Sequence, residues 1–215
     1  MSKVICNQSI SVDGFSAGPN QSLEDPIGVG GMRLHEWMFD TAAFRRMQGL
    51  QGGPETPDSA IVAELSANSN VGAYVMGRNM FAPGRGEWDE SWKGWWGPDP
   101  PYHVPVFVLT HYPRVAVHME GGTTFHFVTD GVESALRQAR EAAGEKDVQI
   151  AGGASTIQQA IRAGALQELY LHIAPIVLGR GERLLENVGS PKLTPVEVIA
   201  SAAVTHVRYR IEYAT

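Results

Sequence analysis

Between Asp147 and Ile157 the chain reads Asp-Val-Gln-Ile-Ala-Gly-Gly-Ala-Ser-Thr-Ile, a short apolar run that stops at two glycines and then becomes helix-forming. The spacing predicts strand, tight turn, helix. Gly152 and Gly153 let a backbone approach a ligand where any Cβ would obstruct it, and a helix starting just beyond presents free N–H groups and a partial positive charge. That combination suits a phosphate. Taken alone, a glycine pair serves equally well to close a strand-to-helix turn. Two further segments carry related chemistry. Gly77-Arg78 follows the apolar Tyr74-Val75-Met76, and Thr110-His111-Tyr112-Pro113-Arg114 follows the apolar run from Pro105 to Leu109. Arginine suits phosphate because its planar fork donates two parallel charge-assisted hydrogen bonds. No G-x-G-x-x-G stands on the first strand-to-helix turn, so the Rossmann fingerprint is absent.

Four of the five tryptophans, Trp88, Trp92, Trp95 and Trp96, fall between Pro83 and Val104 among glycines and prolines. Such rings can stack a planar heterocycle, with Glu87, Asp89 and Glu90 near enough in sequence to bond an amino-pyrimidine edge. The same rings can equally pack as a satellite core under a long loop or line a subunit interface. His118 and His126 have no metal-ligand spacing and read as sheet residues, so no metal site is expected.

The elements that must position these groups follow from periodicity. Lys3 to Val12 reads as a strand ended by the turn-forming Asp13-Gly14, and Ser16 to Gly31 as a long loop. Leu34, Trp37, Met38, Thr41 and Phe44 share one face of a helix predicted over Met32 to Gln48. A further helix starts near Asp58, its expected N-cap. Strands are predicted at Tyr74 to Met76, Pro105 to Thr110, Thr123 to Thr129 and Leu169 to Ile173. Asp130-Gly131-Val132-Glu133 has capping-box spacing before a helix that ends at Gly144. The glycine pair opens a helix over Ser155 to Ala163, and two β runs, Val196 to Ala203 and Val204 to Tyr213, close the chain. Strand–helix alternation predicts a mostly parallel sheet covered on both faces, and the final pair predicts an antiparallel edge. The fold class expected is therefore a three-layer α/β/α sandwich, as one domain over residues 1–215. Glycine-bearing strand ends then gather at the carboxyl edge, where such sheets bind ligands.

At 215 residues, 43% hydrophobic and 19% charged, the chain belongs with globular domains. A net charge of −6 offers no general attraction to nucleic acid or anionic lipid, and neither partner is expected. No apolar stretch approaches the roughly 20 residues that span a bilayer. The single cysteine, Cys6, lies in an apolar run and reads as a buried strand residue, consistent with a reducing, cytoplasmic setting.

Four segments, in order, resemble the dihydrofolate reductase-like family, in the branch of the reductase domain of the bifunctional riboflavin-biosynthesis deaminase-reductase. They are Ser11-Val12-Asp13-Gly14, Val75-Met76-Gly77-Arg78-Asn79-Met80 against its G-R-x-T element, Ile150-Ala151-Gly152-Gly153-Ala154 against its glycine pair, and Pro175 to Gly181 against its P-x-x-x-G-x-G segment. The resemblance implies NADPH held at Gly77, Arg78 and Asn79 and at Ala151, Gly152, Gly153, Ala154, Ser155 and Thr156. It implies that Thr110, His111 and Arg114 lie near the 2′-phosphate, and that a small heterocycle, pterin-like or riboflavin-precursor-like, is reduced by direct hydride transfer. Folate reductases carry an acid on the helix after the first loop, which points to Glu36 or Asp40, with Asp13 a third proton-donor candidate. Met80 replaces the threonine of G-R-x-T, and Ala151 stands where the riboflavin enzymes commonly carry glutamate. These departures leave open a nucleotide-binding module without turnover. A homodimer is the expected assembly, because the resemblance is joined by a β-rich C-terminus that offers an edge for pairing.

Overall fold

The computed structural model describes residues 2–67, 69–84 and 86–213. Along the chain run β1 (Val4–Ser11), β2 (Phe15–Ala17), α1 (Glu36–Phe39), α2 (Ala42–Met47), α3 (Pro57–Ala67), β3 (Val71–Gly77), α4 (Arg78–Phe81) and β4 (Pro105–Leu109). There follow β5 (Val117–His118), β6 (Thr124–Val128), α5 (Val132–Ala143), β7 (Asp147–Gly152), α6 (Ala154–Arg162), β8 (Glu168–Ala174), β9 (Glu182–Arg183), β10 (Lys192–Ala200) and β11 (Thr205–Glu212). Nine strands form one sheet in the order β10-β11-β8-β1-β7-β3-β4-β6-β5, and β2 pairs with β9 beside it. From β8 to β6 all neighbours are parallel, whereas β10, β11 and β5 are antiparallel to their neighbours. The predicted three-layer architecture and antiparallel C-terminal edge are present.

Alternation along the central strands divides the buried side chains between two faces. On the first face Val4, Cys6, Ala73, Val75, Val148 and Ile150 meet Ala135, Leu136 and Ala139 of α5 and Ile157, Ala160 and Ile161 of α6. Each large aliphatic side chain buried in this way contributes about 1.5–3 kcal/mol. Cys6 is 1% exposed, and burial pushes its thiol up to about 12.

The second face is covered in two separate pieces. Trp37, Ala43, Ile61 and Val62, from α1 to α3, pack on Tyr170 and Val204. Over β3, β4 and β6, Tyr74, Met76, Val106, Val108 and Phe125 meet Phe81, Trp88, Trp92, Trp96 and Tyr102. Between these two covers the floor is made by β1 and β7.

Local chemistry changes several expected boundaries. The helix expected from Met32 to Gln48 is a 3-10 turn over Gly31–His35 followed by α1 and α2. Its break is at Thr41, whose hydroxyl donates to the Met38 carbonyl at 2.7 Å and accepts from the Phe44 amide at 3.3 Å, capping α2. Asp58 lies inside α3 rather than capping it: the Thr56 hydroxyl accepts from the Ser59 amide, and Asp58 turns inward to His206. The capping box before α5 does not form either. Gly131 is the N-cap, and Asp130 instead accepts from the Ser134 hydroxyl at 2.8 Å. None of the described helices is long and apolar enough to cross a membrane.

Candidate functional site

Parallel pairing sets the carboxyl ends of β1, β3, β4 and β7 along one edge, and there the glycine segments meet. A Cβ built on Gly77 would sit 2.6 Å from the Thr156 hydroxyl and 3.5 Å from the Gly153 amide nitrogen. Only glycine at position 77 lets the end of β3 lie directly against the start of α6. Gly152 has φ +130°, a region L side chains rarely adopt, and is joined to Gly153 by a cis peptide bond. Where a Cβ of Gly153 would point there is open space. Gly153 is the N-cap of α6 and supplies no side-chain bond to the helix amides, so the first N–H groups stay available to an anion. Ala154 and Thr156 are buried there, while Ser155 is exposed.

Arg78 begins α4, and its guanidinium lies 3.7 Å from the centre of the Trp88 ring. Its Nε donates to the Gly84 carbonyl at 3.0 Å, and a terminal nitrogen donates to Glu87 O at 3.3 Å. Arg114 has a side chain only 2% exposed; it pairs with Glu90 at 3.2 Å and donates to the carbonyls of Glu90 and Trp92 at 2.9 and 2.7 Å. Each guanidinium therefore ties down the tryptophan-bearing loop, and each retains one buried nitrogen without a partner among the described residues. Thr110 is buried, its hydroxyl accepting from the Tyr112 amide at 3.1 Å, while His111 is exposed.

Most of the tryptophan rings are spent on packing. Trp88 meets Phe81 and Phe127 edge-on and donates to the Tyr112 carbonyl at 2.8 Å. Trp92 donates to Phe81 O at 2.8 Å, and Trp96 stacks on Phe125 at 5.9 Å. The rings are needed there because, among the described helices, only the short α4, through Phe81, packs on the second face of β3, β4 and β6. Trp95 differs: with Asn20, Gln21, Asn79, Pro83 and Glu182 it lines a cavity of about 400 Å³ between the first loop and α4.

The three carboxylates occupy unlike settings. Asp13 accepts from the amides of Leu178 and Gly179 at 3.1 and 2.7 Å, tying the end of β1 to the segment that begins at Pro175. The Ser11 hydroxyl and then these amides lower its pKa to about 2. Such contacts hold the anion, the opposite of what a proton donor needs. Glu36 and Asp40 are exposed, while Trp37 between them is buried with its indole nitrogen 3.3 Å from the Ser9 hydroxyl. His118 bonds Thr124 within the sheet, and among the described residues no His, Cys, Asp and Glu cluster can hold a metal ion.

Two polar groups had no motif to reveal them. Asp58 lies 3.1 Å from His206 Nε2, and His206 Nδ1 lies 2.7 Å from His172 Nδ1, all buried under Trp37. Asn7 and Gln149 sit half-buried on the floor between the two covers and belong to a second cavity of about 240 Å³. The one sequence signal for either is a polar residue inside an otherwise apolar strand.

The sheet order, the glycine-mediated contact of β3 with α6 and the cavity beside α4 define a dihydrofolate reductase-like α/β domain. The chain belongs to the family described as the RibD C-terminal domain, whose model matches residues 2–207. It is similar in structure to a protein provisionally assigned to riboflavin biosynthesis from Shewanella sp. PV-4, with 21% identity, TM-score 0.61, and 98% of this chain and 99% of that one covered. A pyrimidine reductase-like protein from Corynebacterium diphtheriae gives 15% identity and TM-score 0.57 over 99% and 93% of the two chains. The Thermotoga maritima diaminohydroxyphosphoribosylaminopyrimidine deaminase/5-amino-6-(5-phosphoribosylamino)uracil reductase gives 14% identity and TM-score 0.55, over 98% of this chain and 56% of that one. At these identities the likeness establishes the fold. No curated protein matches the chain.

Proposed function

We propose that this protein is an NADPH-dependent reductase that transfers a hydride to a small planar heterocycle, pterin-like or riboflavin-precursor-like. Membership of the RibD C-terminal domain family supports the oxidoreductase class. The observation that carries the cofactor reading is the meeting of Gly77 with Gly153 and Thr156 at the uncapped start of α6. That backbone suits a diphosphate: it is open at Gly153, supplies N–H donors and carries the positive end of a helix. Ala151 to Thr156 would hold the diphosphate from one side, with Gly77, Arg78 and Asn79 on the other. The guanidinium nitrogens of Arg78 and Arg114 that have no partner among the described residues are donors fit for a further phosphate, with Thr110 and His111 alongside.

When bound, the nicotinamide supplies the hydride. The residues of this chain bind and orient the reactants and exclude water. Trp95 and Asn79 both line the cavity beside α4, and the packing of Trp88, Trp92 and Trp96 holds the loop that carries Trp95. Because Asp13 is held as the anion, we assign proton supply to groups in exchange with solvent, Glu36 and Asp40 among them. A cytoplasmic homodimer completes the proposal, with the exposed Val196 and Val198 of the edge strand β10 as its contact.

A module that binds nucleotide without turnover is the second reading. It is favoured by Met80, whose sulfur lies 3.4 Å from the position of a Cβ on Gly152, and by Ala151, which brings no ionisable group. The two are separated by adding NADPH to the purified protein. The reductase reading expects tryptophan quenching and oxidation of NADPH by a pterin, pyrimidine or flavin. Quenching without oxidation selects the module, and no binding of NADPH or NADH at micromolar concentration overturns both. Arg78→Ala is expected to weaken NADPH about tenfold, the loss of a charge-assisted bond.

A further inference from the structure

The 240 Å³ cavity between the two covers has a composition of its own. Its floor is Asn7 of β1 with Gln149 and Ala151 of β7, and its walls include Tyr74, Met80 and Tyr102. No residue lining it carries a formal charge. It lies below the roughly 300 Å³ at which drug-sized pockets begin, which suits one or two fused rings. It also adjoins the proposed cofactor turn, because Ala151 directly precedes Gly152 and Met80 packs over that glycine.

Two atoms of its lining residues are unmet. Gln149 Oε1 and the Tyr74 hydroxyl are both shielded from solvent and have no hydrogen-bond partner among the described residues. Tyr74 is 3% exposed, and desolvation pushes its phenol up to about 12, so the hydroxyl keeps its proton throughout the physiological range. Tyr74 and Gln149 are direct neighbours in the parallel pairing of β3 with β7 and thus point to the same face about 4.8 Å apart. Asn7 stands two residues beyond Ile5, the partner of Gln149 on β1, and so presents its amide on that face one pleat nearer the carboxyl edge. A shielded acceptor and a shielded donor left unmet on paired residues of adjacent strands cost about 1–3 kcal/mol each unless a ligand meets them.

We infer that this cavity is the ring subsite of the substrate and that Gln149 and Tyr74 read a neutral lactam edge, N–H to Gln149 Oε1 and C=O to the Tyr74 hydroxyl. Tyr102, 4.8 Å from Tyr74 and edge-on to it, and Met80 supply apolar contact for the ring. A charged substituent finds no counterion here, so any phosphate or carboxylate arm of the substrate stays outside, at the carboxyl edge. The inference rests on the reductase reading for what happens to the ring, but binding of the ring can be measured without NADPH.

Lumazine, a fluorescent pteridine-2,4-dione, is the probe, and 1,3-dimethyllumazine, which lacks both lactam N–H groups, is its control. Titration of the purified protein is expected to show lumazine binding about tenfold tighter than the dimethyl analogue, the size of one lost hydrogen bond. Gln149→Leu and Tyr74→Phe are each expected to weaken lumazine about five- to tenfold; Gln149→Leu leaves the weak binding of the analogue unchanged, whereas Tyr74→Phe, which removes the donor to a carbonyl the analogue keeps, weakens both compounds alike. If Gln149→Leu does not fold, Gln149→Met carries the same test. Equal binding of the two compounds, unchanged lumazine affinity in both variants, or no lumazine binding at millimolar concentration overturns the inference. NADPH titration of the same samples stands apart: loss of NADPH binding with lumazine discrimination intact removes the reductase reading and leaves the subsite.

Discussion

His172 and His206 face each other Nδ1 to Nδ1 at 2.7 Å across β8 and β11, with Asp58 closing the far side of His206 at 3.1 Å. A bond between two ring nitrogens needs one protonated and one bare. With the Asp58 carboxylate accepting from His206 Nε2, the bare nitrogen is His206 Nδ1 and the donor is His172 Nδ1. Both rings are then neutral, and both lie under Trp37, packed within 5.2 and 4.9 Å of its centroid. Burial lowers the pKa of both, that of His172 to about 3, with the neighbouring ring as the next cause for His172.

Acid should therefore unfold the protein early. Unfolded, both histidines take up a proton near pH 6.5, whereas folded His172 waits until about 3. The unfolded state binds more protons over that window, so stability is complete above pH 6.5 and falls as pH drops toward 3. The loss is at most about 1.4 kcal/mol per pH unit for each histidine involved. Urea unfolding at pH 7.5, 6 and 5 checks the slope. His172→Phe should make it shallower by about one proton's worth.

Gly77→Ala should displace the start of α6, because its Cβ would stand 2.6 Å from the Thr156 hydroxyl. Overpacking of this kind costs about 1–3 kcal/mol, and NADPH affinity should fall with it. Adding Thr156→Ala removes the obstructing oxygen. A double-mutant cycle should show the second change restoring much of what the first removed.

Arg114→Lys should destabilise the tryptophan-bearing loop although charge is kept. The Arg114 fork reaches Glu90 and the Trp92 carbonyl together, a geometry a single ammonium cannot copy. Loss of one or two buried charge-assisted bonds is expected to cost about 1.5–3 kcal/mol apiece. The loss should appear as a lower Tm together with a red-shifted tryptophan emission.

Cys6 should be silent toward thiol reagents in the native state. It is buried in β1, and desolvation alone pushes its thiol up to about 12. With an aromatic disulfide reagent at neutral pH, labelling is expected to proceed only at the rate of unfolding and to become immediate in denaturant.

Strand positions and the two glycine turns were legible along the chain because alternation, apolar runs and glycine pairs are local signals. So were the parallel sheet and its antiparallel C-terminal edge. What the sequence could not assign was the employment of its polar side chains. Arg78 and Arg114 look like open phosphate ligands when read in line, yet both brace the loop that carries Trp88 and Trp92. Thr41 and Asp58 read as one mid-helix residue and one cap, but a hydroxyl competing for backbone partners ended one helix and a buried histidine drew the other side chain inward.

Strand period and glycine freedom need no distant partner, so the sheet, its carboxyl edge and the placing of Gly77 and Gly152-Gly153 upon it are legible along the chain. The covering of the second face in two pieces, with Asn7, Tyr74 and Gln149 bordering the gap between them, emerges only in the folded chain. Each of those residues stands roughly a third of the chain from the next, and only the pairing of β1, β7 and β3 brings them together. Cross-strand register is a long-range property, and the chemistry of the cavity rests on it.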